Sequence, residues 1–428
     1  MVGVGYAGLV SGACFAEFGH AVTCLDTDTQ KIGTLRSGDI PIFEVGLLEI
    51  IQRNTSAARL DFATDYAEAI PNADIVMIAV GTPASQRGSS DLSHVNDAVT
   101  KVAKFIEPGM TIVVKSTVPV GSTAEVADRL ASLRPGVEFE IASNPEFLRQ
   151  GTAIHDFMQP ARVVVGTRTE KAANALRRLY QPLLDAGTPF VFTNLETSEL
   201  IKYASNAFLA VKLSFINEMA DVCEQSGSNI GDLTEALSLD PRIGEHFLSP
   251  GPGYGGSCLP KDTQALLHTS RVAGVSSRVV AAAIDVNAAR PANMAGKIAD
   301  ALGGSINGKR VAALGLTFKA NTDDLRESPA IAIVQALVGR GARVRAYDPE
   351  GMDAARSIMR GVDFATDVDD CVAGADAVVI LTEWSEFGTL DLGRIRQLVT
   401  EPLIVDLRNL YDPGTMDQAG FVYHSIGR

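Results

Sequence analysis

No two of the five cysteines (Cys14, Cys24, Cys223, Cys258, Cys371) form a Cys-x-x-Cys pair, and none belongs to a Cys/His cluster. An odd number of widely spread thiols argues against a disulfide framework and against a metal site, and reduced thiols suit the cytosol. Also missing are an apolar run of the roughly 18 residues a membrane helix needs and a basic, then apolar, leader with a cleavage site. The expected setting is cytoplasmic, with no membrane partner. Positive charge is not in excess either: 37 Lys and Arg against 51 Asp and Glu leave a net charge of −14. Such a surface cannot displace counterions from a nucleic acid, so no nucleic-acid partner is expected. An anionic small molecule would need a local basic pocket, for which Lys202, Arg242, Lys261, Lys319, Arg326 and Arg408 are candidates.

What is present divides the chain. Its 428 residues exceed one ordinary core, so two or three domains are expected. The start reads Gly3-Val4-Gly5-Tyr6-Ala7-Gly8, then a small apolar helical stretch, Gly19, and a strand-like run from Ala21 to Leu25 that ends at Asp26. That is a βαβ dinucleotide fingerprint: the glycines permit a tight turn and close approach of a pyrophosphate to a helix N-terminus. Asp26 suits the hydroxyls of an adenosine ribose and would repel a 2′-phosphate, which favours NAD over NADP. Only Met1 and Val2 precede Gly3, whereas the first strand of such a unit is normally central and longer, so the start is expected to be shortened.

Further strands are predicted over 73–80, 111–115 and 138–142, each running into a polar loop: Gly81-Thr82-Pro83, Ser116-Thr117-Val118-Pro119 and Ser143-Asn144-Pro145-Glu146. In an open parallel sheet these loops line the crevice where ligands sit. From Glu196 to about Ser226 the pattern turns helical, with a capping box predicted at Thr193 and Glu196 and Gly227 as the stop. Lys202 and Asn206 share one face of that helix. A second α/β pattern begins near Gly303–Asn307, and its run from Ala375 to Leu381 echoes the one from Ala73 to Ala79. It lacks the glycine fingerprint, so it is expected to bind a nucleotide other than NAD, or none. Between the halves lies Gly251-Pro252-Gly253-Tyr254-Gly255-Gly256-Ser257-Cys258-Leu259-Pro260-Lys261-Asp262, one thiol among glycines, a cation and a carboxylate. That setting suits a nucleophile. Taken alone it equally fits a tight turn round an inert buried cysteine.

These segments together resemble the nucleotide-sugar 6-dehydrogenases. The residues that carry the resemblance are Gly3–Gly8, Pro41–Glu44, Ala79–Pro83, Ser116–Gly121, Asn144–Arg149, Glu196–Asn206, Asp240–Gly244, Gly253–Asp262 and Gly315–Ser328, in the family's order. The thiol segment looks most like the branch acting on UDP-glucose, with the GDP-mannose and UDP-N-acetylmannosamine branches as alternatives. A different class, the two-electron hydroxyacid dehydrogenases, also pairs a fingerprint with a Lys-x-x-x-Asn helix but needs no thiol.

The resemblance implies an α/β fold of two Rossmann-like doubly wound parallel sheets joined by a long central helix. Its three parts are an NAD-binding domain over 1–195, a helical dimerisation region over 196–300 and a UDP-sugar-binding domain over 301–428. It implies two successive NAD-dependent oxidations of a sugar alcohol to a carboxylate through a covalent adduct on Cys258. Lys202, Asn206, Asp262, Glu146 and Thr117 would manage protons and water. For the cofactor it implies Gly3, Gly5, Tyr6, Ala7, Gly8, Asp26 and Lys31, then Thr82, Thr117, Gln150, Lys261 and Arg326; Gln150 stands where the family usually has Glu. For the UDP-sugar it implies Glu146, Phe147, Leu148 and Arg149, Lys202 and Asn206, the run Phe247, Leu248, Ser249, Pro250 and Gly251, then Gly255, Lys319 and Arg408. Arg242 would be donated across a homodimer interface. Backbone N–H groups of Gly253–Gly256 would add donors for the diphosphate.

Overall fold

The computed structural model describes residues 1–85 and 88–428. It divides into two compact units, one of Met1–Ser205 with His268–Gly274, the other of Asn206–Leu267 with Val275–Arg428. The first holds strands β1 (Val22–Leu25), β2 (Leu60–Ala63), β3 (Ile75–Ile78), β4 (Thr111–Val114), β5 (Glu140–Ser143), β6 (Val163–Thr167) and β7 (Phe190–Thr193). Its sheet is a pair β1-β2 and a run β3-β4-β5-β6-β7. Val2 joins them, bridging Leu25 on one side and Ile78 on the other. It occupies by itself the place of the central first strand.

The strands carry continuous apolar runs, as strands buried on both faces do. Ile112, Val113 and Val114 are all buried, with Val113 packed among Leu9, Val10 and Phe15 of the helix Tyr6–Glu17 and Ile112 among Val99 and Val102 on the other face. One pair departs from the parallel plan: β5 and β6 run antiparallel, with Ser143 opposite Gly166. A Cβ on Gly166 would lie 2.5 Å from Cβ of Ser198, so the glycine lets the first turns of the long helix Leu195–Ser226 lie directly on the strand. That helix is not started by the predicted capping box. Thr193 is still the last residue of β7, and Asn194, next to the first helical residue, accepts from the N–H of Thr197 at 2.8 Å.

The second unit holds β8 (Arg310–Leu314), β9 (Arg343–Tyr347), β10 (Val362–Phe364), β11 (Ala377–Ile380), β12 (Leu403–Asp406) and β13 (Val422–His424). Their order is β10-β9-β8-β11-β12-β13, all parallel, which is the doubly wound order of a dinucleotide-binding sheet. β3 and β11, the two runs that echo each other in sequence, each lie next to the central position on the same side. Among the described residues no helix is long and apolar enough to cross a membrane.

Candidate active site

In the first unit the fingerprint turns as its glycines require. Gly3 adopts φ +98°, and a Cβ on Gly8 would lie 2.0 Å from the carbonyl oxygen of Gly3. A Cβ on Gly5 would meet nothing within 4 Å, and Gly5 caps the helix Tyr6–Glu17 with no side chain on its N–H groups. Open space in front of uncapped amides fits a pyrophosphate. Asp26 accepts from the N–H groups of Val4 and Asp28 at 2.8 and 3.0 Å, which fixes it beside that turn. Lys31 stands on the next helix, near Asp28 at 3.8 Å. Tyr6 donates to Glu44, a buried carboxylate that also accepts from the N–H groups of Gly151 (2.7 Å) and Ala153 (2.8 Å). Burial, then the bond to Glu44, push the Tyr6 phenol well above its usual range. Gln150 lies in the same clasped loop, just before Gly151.

The loops beyond β3 and β4 are stitched together. Thr82 donates to the carbonyl of Thr117 (2.8 Å), and Ser116 donates to that of Val80 (2.6 Å). Glu199, buried on the long helix, accepts from the N–H groups of Gly121 and Thr123 at 2.6 and 2.7 Å and so holds the far end of the Thr117 loop. One turn on from Glu199, Lys202 donates to Glu146 at 3.1 Å, and both side chains are nearly buried. Burial pushes the Glu146 carboxyl up, but the Lys202 charge, bonds from the Leu148 N–H and Lys202, and the Lys115 charge together outweigh it and hold it below its usual value. Lys115 itself is buried against Asn144 (3.1 Å) and Tyr180 (3.3 Å), and desolvation lowers it to about 8. Phe147 lies under the Arg162 guanidinium (3.7 Å to the ring centre) and near Lys202 (5.3 Å). Arg149 is exposed and its fork is engaged by Asp156, at 2.6 and 2.9 Å. A cavity of about 690 Å³ opens under Met1 at the starts of β1 and β3, the opposite end of the sheet from these loops.

In the second unit Cys258 immediately precedes the helix Leu259–Val272, and its carbonyl accepts from the N–H of Asp262 at 2.8 Å. A helix N-terminus favours thiolate over thiol. Cys258 is partly exposed, whereas the other four cysteines are buried, and burial pushes the Cys14 and Cys371 thiols up to about 12 and Cys24 to about 11. Asp262 is buried between Asn206, which donates to it at 2.6 Å, and the Lys261 ammonium. Arg326 is held by Asp324 at 2.6 and 2.8 Å, and that bond, with the Asp324 and Cys258 charges adding to it against the effect of burial, raises the guanidinium above its usual value. Phe247 takes φ +63°, a left-handed conformation unusual for a bulky residue; Leu248 and Pro250 are buried and Ser249 is exposed.

On the side where a Cβ would stand, Gly255 and Gly256 abut other parts of the chain. A Cβ on Gly255 would lie 2.2 Å from the carbonyl oxygen of Glu327, and one on Gly256 would lie 2.8 Å from the ring of Phe318. The N–H of Gly256 is donated to the carbonyl of Arg326 at 2.9 Å, and the N–H of Tyr254 to Asn287 at 2.8 Å. The expectation that this turn offers its amides to a diphosphate is corrected for these two groups. Arg408 ties three strand-end loops, donating to the carbonyls of Leu381 (2.9 Å) and Phe318 (3.2 Å) and pairing with Glu383 (3.1 Å). Lys319 follows in the Phe318 loop. Asp348, which ends β9 as Asp26 ends β1, is fully buried and accepts from the N–H groups of Leu316, Thr317, Glu350 and Gly351 and from Trp384. No capacity is left on it for a ribose. Arg242 is exposed, its side chain 87% accessible, and forked on Asp240. Among the described residues no group of three His, Cys, Asp or Glu could hold a metal ion.

Three family models tile the chain: the NAD binding domain of the UDP-glucose/GDP-mannose dehydrogenase family over residues 1–184, its central domain over 196–289 and its UDP binding domain over 312–413. The chain belongs to that family. A UDP-glucose 6-dehydrogenase of Rhizobium meliloti (strain 1021) is 49% identical over all of this chain and 99% of its own length. The UDP-glucose 6-dehydrogenase TuaD of Bacillus subtilis (strain 168) is 43% identical over all of this chain and 92% of its own. Among solved structures, a UDP-glucose dehydrogenase from Pyrobaculum islandicum superposes with a TM-score of 0.90 at 37% identity, covering 99% of this chain and 96% of that one. As a family member the protein is an oxidoreductase with NAD as cofactor, and its glycine fingerprint lies in the family's NAD binding domain. Glu44, Lys115 and Glu199 had no role assigned from the sequence, although a charged residue beside apolar ones was an available signal for Glu44 and Lys115.

Proposed function

We propose that this protein is a UDP-glucose 6-dehydrogenase that converts the sugar's C6 alcohol to a carboxylate in two oxidations. The observation that carries the reading is Cys258 at the start of the helix Leu259–Val272, with Asp262 in the first turn held by Asn206 and Lys261. A two-electron hydroxyacid dehydrogenase has no use for that thiol. NAD⁺, when bound, would supply a hydride acceptor for each oxidation. Gly3–Gly8, Asp26, Lys31 and Thr82 would hold it, with Thr117, Gln150, Lys261 and Arg326 as further contacts.

In the first oxidation the alcohol proton leaves to a base as the C6 hydride departs. Lys202 and Asn206, four residues apart on one helix, are assigned to the alkoxide charge that develops there, with Asp262 taking the proton through water. The Cys258 thiolate then adds to the aldehyde carbon and gives a thiohemiacetal. Loss of the second hydride from carbon, with the adduct's hydroxyl proton passing to Asp262 through water, leaves a thioester. Water attacks its carbonyl, the carbon–sulfur bond breaks and the thiolate is regenerated with the carboxylate. Glu146, ionised beside Lys202, and Thr117 are assigned to that water. Lys319 and Arg408, inside the family's UDP binding domain, are assigned to the nucleotide diphosphate, with Phe147, Leu148, Arg149, Gly255 and the run Phe247–Gly251 around the sugar and base. The functional division is kept as 1–195, 196–300 and 301–428, and a reduced thiol nucleophile suits the cytoplasm.

With UDP-glucose and excess NAD⁺, the purified protein is expected to release two NADH per sugar. One NADH per sugar would favour the hydroxyacid class. The same assay with GDP-mannose and UDP-N-acetylmannosamine separates the sister substrates.

A homodimer is part of this reading. Phe208, Phe215 and Val222 are 65%, 47% and 54% exposed on the long helix and spaced by seven residues, so they share one face. A second copy of the chain would cover them, and the outward Arg242 would reach the partner's site. Phe215→Glu is expected to shift sedimentation from dimer to monomer and to lower kcat on the order of tenfold or more. A wild-type monomer, or an unaffected dimer, would count against the assignment.

A further inference from the structure

The segment Gly251–Tyr254 leads to the thiol turn without regular secondary structure, and its buried backbone groups must find partners elsewhere. Three side chains supply them. Asn217 on the long helix accepts from the N–H of Gly251 at 2.8 Å, and Arg290 Nε donates to the carbonyl of the same residue at 3.0 Å. Asn287 does both jobs at Tyr254, accepting from its N–H at 2.8 Å and donating to its carbonyl at 3.0 Å. Asn287 and Arg290 lie three residues apart on the helix Arg278–Ala301, so one rigid element grips the segment at both ends.

The grip is specific to these groups. Arg290 is a buried cation, 1% exposed, anchored by Asp221 through Nη1, and its Nη2 is buried with no hydrogen-bond partner among the described residues. A buried guanidinium with one nitrogen unmet is a costly way to fill space, and a neutral apolar residue would fill it at lower cost. At the other end Gly253, at φ +124°, leaves its would-be Cβ position 3.0 Å from the Asn287 amide oxygen, so the amide is seated where only glycine lets it reach the backbone. Four residues past Tyr254 comes Cys258, and in between the N–H of Gly256 is fixed on Arg326. Tyr254 and Gly256 are thus the two pinned points on the approach to Cys258, one held by side chains and the other by backbone.

We propose that Asn287 and Arg290, with Asn217, are positioning residues that set where the Cys258 sulfur stands. The kinetic part of this proposal rests on the dehydrogenase reading above; the chemical part does not. Asn287→Asp keeps size and acceptor but places a charge against the Tyr254 carbonyl. Arg290→Lys keeps the charge beside Asp221 but has one ammonium to divide between Asp221 and the Gly251 carbonyl. In the full chain, alkylation of Cys258 by iodoacetamide, followed by peptide mass spectrometry, is expected to change in rate on the order of tenfold in both variants. A misplaced reacting group loses on the order of 10- to 100-fold in rate, so kcat is expected to fall by that much while KM for NAD stays within about twofold. Asn217→Asp provides a third variant should one of the others fail to fold. A lowered melting temperature with alkylation rate and kcat at wild-type values would mean mere structural support and would overturn the proposal. A wild-type protein that forms no NADH from UDP-glucose would sink the dehydrogenase reading instead, with the alkylation rates still deciding whether the clamp positions the thiol.

Discussion

Cys258→Ser is expected to abolish net formation of the carboxylate while sparing the first oxidation. A serine hydroxyl beside the helix Leu259–Val272 can still add to an aldehyde, but it is a far weaker nucleophile at neutral pH than a thiolate at a helix N-terminus. The ester it would form also resists water better than a thioester does. A fall in steady-state turnover of roughly 10³-fold or more is therefore expected, the order seen when a covalent nucleophile is removed. The check is a single-turnover experiment with UDP-glucose, in which the variant should give one NADH per active site quickly and the second only slowly, with an ester on residue 258 accumulating and no free carboxylate released. Two NADH per site at the wild-type rate would rule out thioester chemistry at this residue.

Gly255→Ala is expected to be almost as damaging, by a different route. The added methyl would stand 2.2 Å from the Glu327 carbonyl oxygen and 3.0 Å from Cδ of Pro329. A carbonyl cannot swing aside as a long side chain can, and Glu327 is already at φ +51° next to Ser328, whose hydroxyl donates to the Leu316 carbonyl at 2.7 Å. One of the two backbones has to shift. Overpacking of this kind costs about 1–3 kcal/mol, and the shift would move both the thiol and Arg326. A drop in melting temperature together with a kcat loss on the order of 100-fold is the expected result, read by calorimetry and by the NADH assay. Near wild-type activity would mean that the turn is not held against the 327 carbonyl.

Much of the fold could be read from local chemistry. The fingerprint glycines answer needs that arise within six residues, and the like runs over 73–79 and 375–381 do hold equivalent places in two sheets of one strand order. The long helix showed itself by its lack of glycine and proline. Its start did not, because Thr193 and Asn194 are both capping residues and only the end of β7 decides between them. In the candidate site, the pairs Lys202 with Glu146 and Asn206 with Asp262 join residues singled out from the sequence. Glu44, Glu199, Asn217, Asn287 and Arg290 were not singled out. Apart from Tyr6 on Glu44 and Asp221 on Arg290, their partners are backbone amides and carbonyls, which carry no residue-type signature, and these lie between 33 and 109 positions away. The amides of Tyr254 and Gly256 differ from the expectation for the same reason: a glycine-rich turn looks alike in sequence whether its amides face a ligand or another stretch of chain.

Glu44 touches no atom that any proposed step changes. One of its oxygens takes the Tyr6 hydroxyl, from the turn assigned to the pyrophosphate, and the two together hold the amides of Gly151 and Ala153, at the end of the loop that begins with Glu146. A buried carboxylate satisfied from both sides removes the independence of the two loops. On the proposed reading, loss of Glu44 would therefore slacken the cofactor turn and the Glu146 loop together, not one at a time.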